Sequence, residues 1–265
     1  MKFTFYQVDA FADQLFQGNP AAVFVLEDAL PDQIMQALAG EMNLSETAFA
    51  VKRSDGDFRL RWFTPKREVK LCGHATLATA HVLYQHYQHP REPICFHTQS
   101  GILITTPDDF GICLDFPATV PSPIKVPLDA LEAVGGSPRD AYETDDLILV
   151  YSDASEVAIL EPDFAALTKL PYRGICVTAP GNGNGYDFVS RFFAPSMGID
   201  EDPVTGSAHT KLTPLYALRT GKDSFFARQV SQRGGDLQLH LQGDRVFISG
   251  KAITVFEGTM SLPGI

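Results

Sequence analysis

Two stretches of this chain read as copies of one another, and a strand, a loop and a helix start that occur once per half constrain it to a duplicated architecture. The first runs Arg61-Trp62-Phe63-Thr64-Pro65 and on through Lys70-Leu71-Cys72-Gly73-His74-Ala75-Thr76. The second runs Arg191-Phe192-Phe193-Ala194-Pro195 and on through Asp202-Pro203-Val204-Thr205-Gly206-Ser207-Ala208-His209-Thr210. Each leads from an aromatic strand through a short polar loop to a Gly, one polar residue and Ala, and then into a helical run. The polar loops are where chemistry is expected.

A chain of 265 residues can hold two such halves, each large enough to bury a core of its own. With 45% hydrophobic and 20% charged residues it is an ordinary globular sequence, not a disordered one. Its net charge of −11, with no Lys/Arg-rich run to offset it, argues against nucleic acid as a partner. No apolar run approaches the roughly 20 residues of a membrane span, and the alternating start Lys2-Phe3-Thr4-Phe5-Tyr6 is unlike a signal peptide, so no membrane partner is expected. Cys72, Cys95, Cys113 and Cys176 lack the spacing of a zinc knuckle or a disulfide framework, which fits a reducing, cytoplasmic setting.

Periodicity and turn residues predict an opening strand ending near Ala12, a strand over 21–25 and one entered within Asn43–Val51, with a one-faced amphipathic helix from Pro31 between the last two. Asp55-Gly56 marks a hairpin before Phe58–Phe63. The run from Ala75 to Tyr84 is apolar or small on nearly every side, as in a helix buried all round. Strands follow at 94–98, 102–105 and 112–116. Four prolines between Pro117 and Pro127 predict a stiff linker. The domains are accordingly expected at 1–117, with 253–265 returning to it, and at 118–252. In the second, a helix is expected at 128–134, strands at 147–151, 157–160 and 175–179, and a helix over 162–170. Gly181 to Gly185 reads as a hairpin turn, since it lacks the Gly-Lys-Ser/Thr ending of a phosphate loop. A second buried helix spans Ala208 to Leu218, and strands close the chain.

Both Gly73-His74 and Gly206-Ser207 stand where a buried helix begins, so free backbone N–H groups and the positive end of the helix dipole point outward there. If the halves are related by a pseudo-twofold axis, both starts face one interdomain cleft suited to a carboxylate. Glu46 shares a strand face with Leu44, Ala48 and Ala50. It either sits in water at the strand mouth or is held in an apolar setting that fits it to take a proton from carbon and return it. His74 is open between a cap-like residue and an acid/base group. Asp202 could be a plain loop carboxylate and Ser207 an ordinary cap, although the matched positions of His74 and Ser207 favour function. Asp202, Ser207 and His209 carry triad letters but crowd into eight residues with no nucleophile elbow. His86 and His89 lack the carboxylate partner of a metal site.

The blocks Val8-Asp9-Ala10-Phe11, Gly18-Asn19-Pro20-Ala21, Ser45-Glu46-Thr47-Ala48-Phe49, Cys72-Gly73-His74-Ala75-Thr76 and Glu201-Asp202-Pro203-Val204-Thr205-Gly206-Ser207-Ala208 resemble, in order, the phenazine-biosynthesis PhzF-like family of the diaminopimelate epimerase superfamily. The resemblance implies an α/β fold of the α+β kind, with two similar domains, each a mainly antiparallel sheet rolled around a central helix, and often a homodimer. It implies an isomerase with Glu46 as the acid/base, His74 and Asp202 supporting proton transfer, and Asn19, Gly73, Thr205, Gly206 and Ser207 holding a small carboxylate-bearing substrate. No cofactor and no metal are implied. The epimerases of the superfamily use two facing cysteines; here Cys72 fills the first place, but Thr205 fills the second. A one-thiol epimerase using Cys72 and a ligand-binding protein without turnover are the alternatives.

Overall fold

A computed structural model describes residues 2–183 and 185–262. The chain forms two compact units, the first ending at Asp115 and resuming at Ser249, the second running Phe116–Ile248.

Unit 1 contains β1 (Lys2–Ala10), β2 (Asn19–Leu26), α1 (Asp32–Met42), β3 (Glu46–Lys52), β4 (Phe58–Phe63), β5 (Glu68–Val69), α2 (Gly73–His86), β6 (Ile94–Thr98), β7 (Gly101–Pro107) and β8 (Ile112–Pro117), whose last residues enter unit 2. Unit 2 continues with β9 (Ser122–Ile124), α3 (Leu128–Val134), β10 (Asp140–Glu143), β11 (Leu147–Val150), α4 (Ala154–Ala158), α5 (Phe164–Leu167), β12 (Ile175–Pro180), β13 (Phe188–Ala194), β14 (Ile199–Asp202), α6 (Gly206–Thr220), β15 (Ser224–Gln229) and β16 (Gly235–Gln242). β17 (Arg245–Gly250) leads back to unit 1, where β18 (Ala252–Ser261) pairs antiparallel with β1 from Lys2↔Ser261 to Ala10↔Ala252.

The duplication holds over seven strands in each unit, from β18 to β7 and from β9 to β16. In unit 1 the order is β18-β1-β2-β3-β4-β6-β7-β8, antiparallel except at β2·β3 and β4·β6. In unit 2 it is β9-β10-β11-β12-β13-β15-β16, antiparallel except at β11·β12 and β13·β15. Parallel neighbours need crossovers, and helices supply them at matching places: α1 and α2 in one unit, α4 with α5 and then α6 in the other.

The registers define equivalent residues. Thr47↔Phe63 in unit 1 matches Ile175↔Phe193 in unit 2, and Phe63↔Glu68 matches Phe193↔Glu201. Each short hairpin is clasped by one Arg–Glu pair. Arg61 Nε meets Glu68 Oε1 at 2.7 Å, Arg191 Nε meets Glu201 Oε1 at 2.7 Å, and the guanidinium carbons lie 5.1 and 5.0 Å from the Phe63 and Phe193 ring centres.

Each unit wraps its sheet around an apolar helix. Residues 74–80 of α2 are all buried, and α2 packs on β1, β2, β3 and β18. In α6 the buried run is 208–216. Behind the unit 1 sheet, α1 covers Phe24, Phe49 and Phe63, whose rings meet at 5.1 and 5.6 Å.

Two local expectations fail. Residues 157–160 are not a strand: Asp153 caps the amide of Ser155 at 2.8 Å and starts α4, so the Val-Ala-Ile-Leu alternation belongs to a short helix and its exit. Within the proline-rich stretch, Ser122–Ile124 is a strand bonded to β10, not free linker. Prolines at a strand edge need no ladder donor, which is how Pro123 is tolerated. The helix over 162–170 shrinks to Phe164–Leu167, and in the expected 181–185 turn Asn184 lies outside the described residues.

Arg191 also donates to the Val157 and Leu160 carbonyls at 3.2 and 2.7 Å. Removing it leaves the largely buried Glu201 and the Val157, Ala158 and Leu160 carbonyls without that donor. Arg191→Gln is expected to lower unfolding stability by about 3 kcal/mol in urea titrations, and more than Arg61→Gln, whose guanidinium donates among the described residues to Glu68 and the exposed Asp32. Equal losses would contradict this account.

Candidate functional site

The predicted residues fall into one group per unit. In unit 1, Glu46 opens β3 and its side chain is only 13% exposed, which resolves the two sequence alternatives toward a largely enclosed carboxylate. Its register partner on β2 is Ala21, two residues after the fully buried Asn19. Cys72 stands just before α2 in an extended conformation, and Gly73 and His74 are the first two helical residues. Thr76 anchors this start by donating its hydroxyl to the Cys72 carbonyl at 2.5 Å.

His74 brings the group together. Its Nε2 lies 3.3 Å from Glu46 Oε2, and its Nδ1 lies 3.6 Å from Cys72 Sγ. The first contact has the distance of an ion pair without the alignment of a hydrogen bond. Burial drives the His74 pKa down to about 3, so at neutral pH the ring is uncharged and the contact is one between a carboxylate and a neutral imidazole.

In unit 2, Asp202 ends β14 and Thr205 precedes α6, at the place of Cys72. Thr205 donates its hydroxyl to Asp202 Oδ2 at 2.5 Å, so one predicted binding group is already engaged by another. The fully buried Gln229 holds this loop: its Oε1 accepts from the Thr205 amide at 2.8 Å, and its Nε2 donates to the Asp202 carbonyl at 2.6 Å. Ser207 is the counterpart of His74. Its Oγ accepts from Arg173 Nη2 at 3.1 Å, while the same guanidinium donates to Asp146 at 2.8 and 2.5 Å. The buried Lys211 ammonium bonds Asp145 and Asp146 as well. Burial works against the Arg173 charge, but Asp146 and its neighbours outweigh it and hold the pKa above normal.

The sequence reading did not single out Arg173, Asp146, Lys211 or Gln229. Asp145 and Asp146 stand just before a strand without a motif, and an Arg, a Lys and a Gln scattered over the chain carry no spacing signal. The triad lettering is dissolved: His209 meets the Thr205 carbonyl at 2.8 Å and Ser190 Oγ at 3.4 Å, on an enclosed ring stacked on Phe188. His86 and His89 bond Thr254 and the Pro90 carbonyl separately.

The two units carry different chemistry on one scaffold. By register, Gly174 stands where Glu46 stands, and a side chain there would meet the Phe192 ring at 2.3 Å. Thr205 replaces the thiol and Ser207 the imidazole.

A family model described as phenazine biosynthesis-like protein matches residues 8–258. The chain belongs to this family. An uncharacterised isomerase of Pseudomonas aeruginosa is 50% identical over 262 residues, covering 99% of this chain and all of the relative. The crystal structure of a PhzF-family phenazine biosynthesis protein from Enterococcus faecalis superposes with a TM-score of 0.96 at 46% identity over 99% of this chain and all of its own. A hydroxyproline epimerase of Agrobacterium vitis shares the fold alone, with a TM-score of 0.64 at 13% identity, 98% of this chain and 93% of its own. The phenazine biosynthesis-like chain is thus an isomerase on an epimerase-like fold. Among the described residues, no helix is long and apolar enough to cross a membrane.

The enclosed imidazoles predict a pH dependence of stability. Burial lowers His74 to about 3 and His209 to about 4, from an ordinary value of 6.5. Between those values and 6.5 the unfolded chain binds protons that the folded chain refuses, so stability is full above the unfolded pKa and is lost as pH falls. Each ring is expected to remove about 1–2 kcal/mol between pH 7 and pH 5. Urea midpoints at the two pH values measure the loss, and His209→Asn should shrink it. An unchanged pH dependence in that variant would speak against the assignment.

Proposed function

We propose that the chain is a cofactor-independent isomerase in which Glu46 moves a proton between carbons of a small unsaturated carboxylic acid, shifting its double bond. The observation that carries this reading is the one-sidedness of the repeat. Only unit 1 has a carboxylate at the β3 start, and the thiol place of unit 2 holds a threonine. A mechanism in which one cysteine removes a proton and a second returns it needs two thiols. One carboxylate that takes a proton from one carbon and delivers it to another needs only itself.

In this reading Glu46 acts first as base and then as acid. His74, uncharged and with its Nε2 3.3 Å from Oε2, positions the Glu46 carboxyl during both transfers. The Gly73 amide at the positive end of α2, with Asn19 in the same unit, and the Gly206 amide of α6, with Thr205 in the other, each suit a carboxylate. The Arg173 guanidinium donates into Ser207 Oγ, so the Ser207 hydroxyl proton is directed away from it and toward a different acceptor. Asp202 orients Thr205 and thereby the second helix start. Four free thiols suit a reducing cytoplasm, and a homodimer is the assembly proposed with the family resemblance.

The test uses small unsaturated carboxylic acids that raise the melting temperature, followed by exchange of their C–H protons in heavy water. Glu46→Gln is expected to keep the thermal shift and lose exchange at least 100-fold, the low end of the usual contribution of a general base. Cys72→Ala should retain exchange. Full exchange in Glu46→Gln rejects the assignment, and loss confined to Cys72→Ala transfers the chemistry to the thiol.

A further inference from the structure

The group Glu46, Cys72 and His74 contains more than an acid/base pair requires. A carboxylate, a thiol and an imidazole come from the start of β3, the residue before α2 and its first turn, and one donor atom from each lies within 4.8 Å of the other two. In a tetrahedral zinc site, with bonds of about 2.3 Å to sulfur and 2.0–2.1 Å to nitrogen or oxygen, neighbouring donors stand about 3.3–3.6 Å apart. The Sγ–Nδ1 distance of 3.6 Å and the Nε2–Oε2 distance of 3.3 Å already fall there. Because the two contacts use different nitrogens of one ring, closing all three ligands on one ion takes a rotation of side chains that brings donors now within 4.8 Å to that spacing.

A second observation points to a ligand. His74 is 6% exposed, yet its Nε2, facing Glu46, makes no hydrogen bond among the described residues. Buried ring nitrogens are seldom left so. We infer that Glu46, Cys72 and His74 bind a thiophilic divalent cation of the Zn2+ class, and that the bound ion and proton transfer at Glu46 exclude one another. Thiolate with imidazole selects zinc or cobalt over magnesium and calcium, which prefer oxygen ligands throughout. On binding, the S–H bond of Cys72 breaks, its proton passes to the buffer, and the sulfur lone pair forms the bond to the ion, with no change of oxidation state. The ion also occupies the oxygen lone pair that would receive the substrate proton, a consequence that rests on the reading of Glu46 as the base.

Unit 2 shows the contrast. Gly174, Thr205 and Ser207 occupy the equivalent places and offer neither thiol, imidazole nor carboxylate, so the repeat predicts one site per chain. The other acid and histidine cluster, Asp55, Asp57 and His97, lacks both features: His97 Nε2 pairs with Asp57 at 2.8 Å, and Asp55 is held by Arg53.

The experiment titrates the full chain with Co2+ alone, reading the thiolate-to-cobalt charge-transfer band in the near ultraviolet, and then displaces it with Zn2+. Wild type, Cys95→Ser and Cys113→Ser are expected to show the band at one ion per chain. Cys72→Ser should lose it, and His74→Asn and Glu46→Gln should bind at least about tenfold more weakly, since even indirect partners of a metal site cost that much. A wild type without the band, or a band that survives in Cys72→Ser, overturns the site. If Cys72→Ser does not fold, undiminished affinity in both other variants overturns it equally. Zn2+ is expected to abolish proton exchange in the wild type. Saturating Zn2+ with exchange unchanged overturns the exclusion, while Glu46 as base is judged by the exchange result of Glu46→Gln without metal, so the two failures are separable.

Discussion

Everything distinctive in the two units hangs from a short hairpin clasped by an arginine and a glutamate. β5 has two residues and pairs with β4 only at Trp62↔Val69 and Phe63↔Glu68, too little ladder to fix a chain direction by itself. The bidentate Arg61–Glu68 pair, with the guanidinium over Phe63, supplies the missing specification. Arg191, Glu201 and Phe193 repeat it atom for atom. In both cases the helix begins five residues beyond the glutamate, at Gly73 and Gly206. A largely buried Arg–Glu pair contributes little net stability, but its directional bonds fix register. Register is what this scaffold needs, because a slip of one residue would turn the Cys72 and Thr205 positions to the other face.

The backbone is shared and the chemistry is not. Duplication supplies two enclosed helix starts with outward-facing amides, and substitution then makes them unequal. Unit 1 gathers a carboxylate, an imidazole and a thiol around one helix start. Unit 2 has a serine at the matching helix position, and in place of Glu46 a glycine whose added side chain would collide with Phe192. Its own charges are neutralised internally: Arg173 and Lys211 face Asp145 and Asp146. Burial of the Lys211 and Asp146 charges is tolerable only when each finds a partner, and Ser207 receives the spare guanidinium donor of Arg173.

The sequence made the repeat legible because Arg-aromatic-Phe, Gly and the polar residue after it are set by local geometry, and local geometry leaves local signals. The enclosed helices were visible in their lack of a polar face, and Glu46 and His74 stood out through strand phase and helix position. Other features depended on partners distant in the chain. The two-residue β5 and the edge strand β9 have too few residues to show alternation. Residues 157–160 alternate like a strand, yet the cap formed by Asp153 decides for a helix. Gln229, which clamps the loop of Asp202 and Thr205, lies 24 residues beyond Thr205, and Lys211 lies 65 beyond Asp146; no periodicity connects such pairs. The partial enclosure of Glu46 likewise follows from packing around the start of β3, not from its neighbours in sequence.

The pairing of β18 with β1 is a permutation of the duplicated unit. Unit 2 takes its edge strand β9 from the residues just before its own sheet, whereas unit 1 takes the corresponding strand from the far end of the chain. During synthesis the whole of unit 2 therefore leaves the ribosome before β1 can acquire that neighbour. Until then β1 carries an open row of amides and carbonyls along one side, so the half that contains Glu46 is the last to be sealed, and its maturation waits on translation of the final strand.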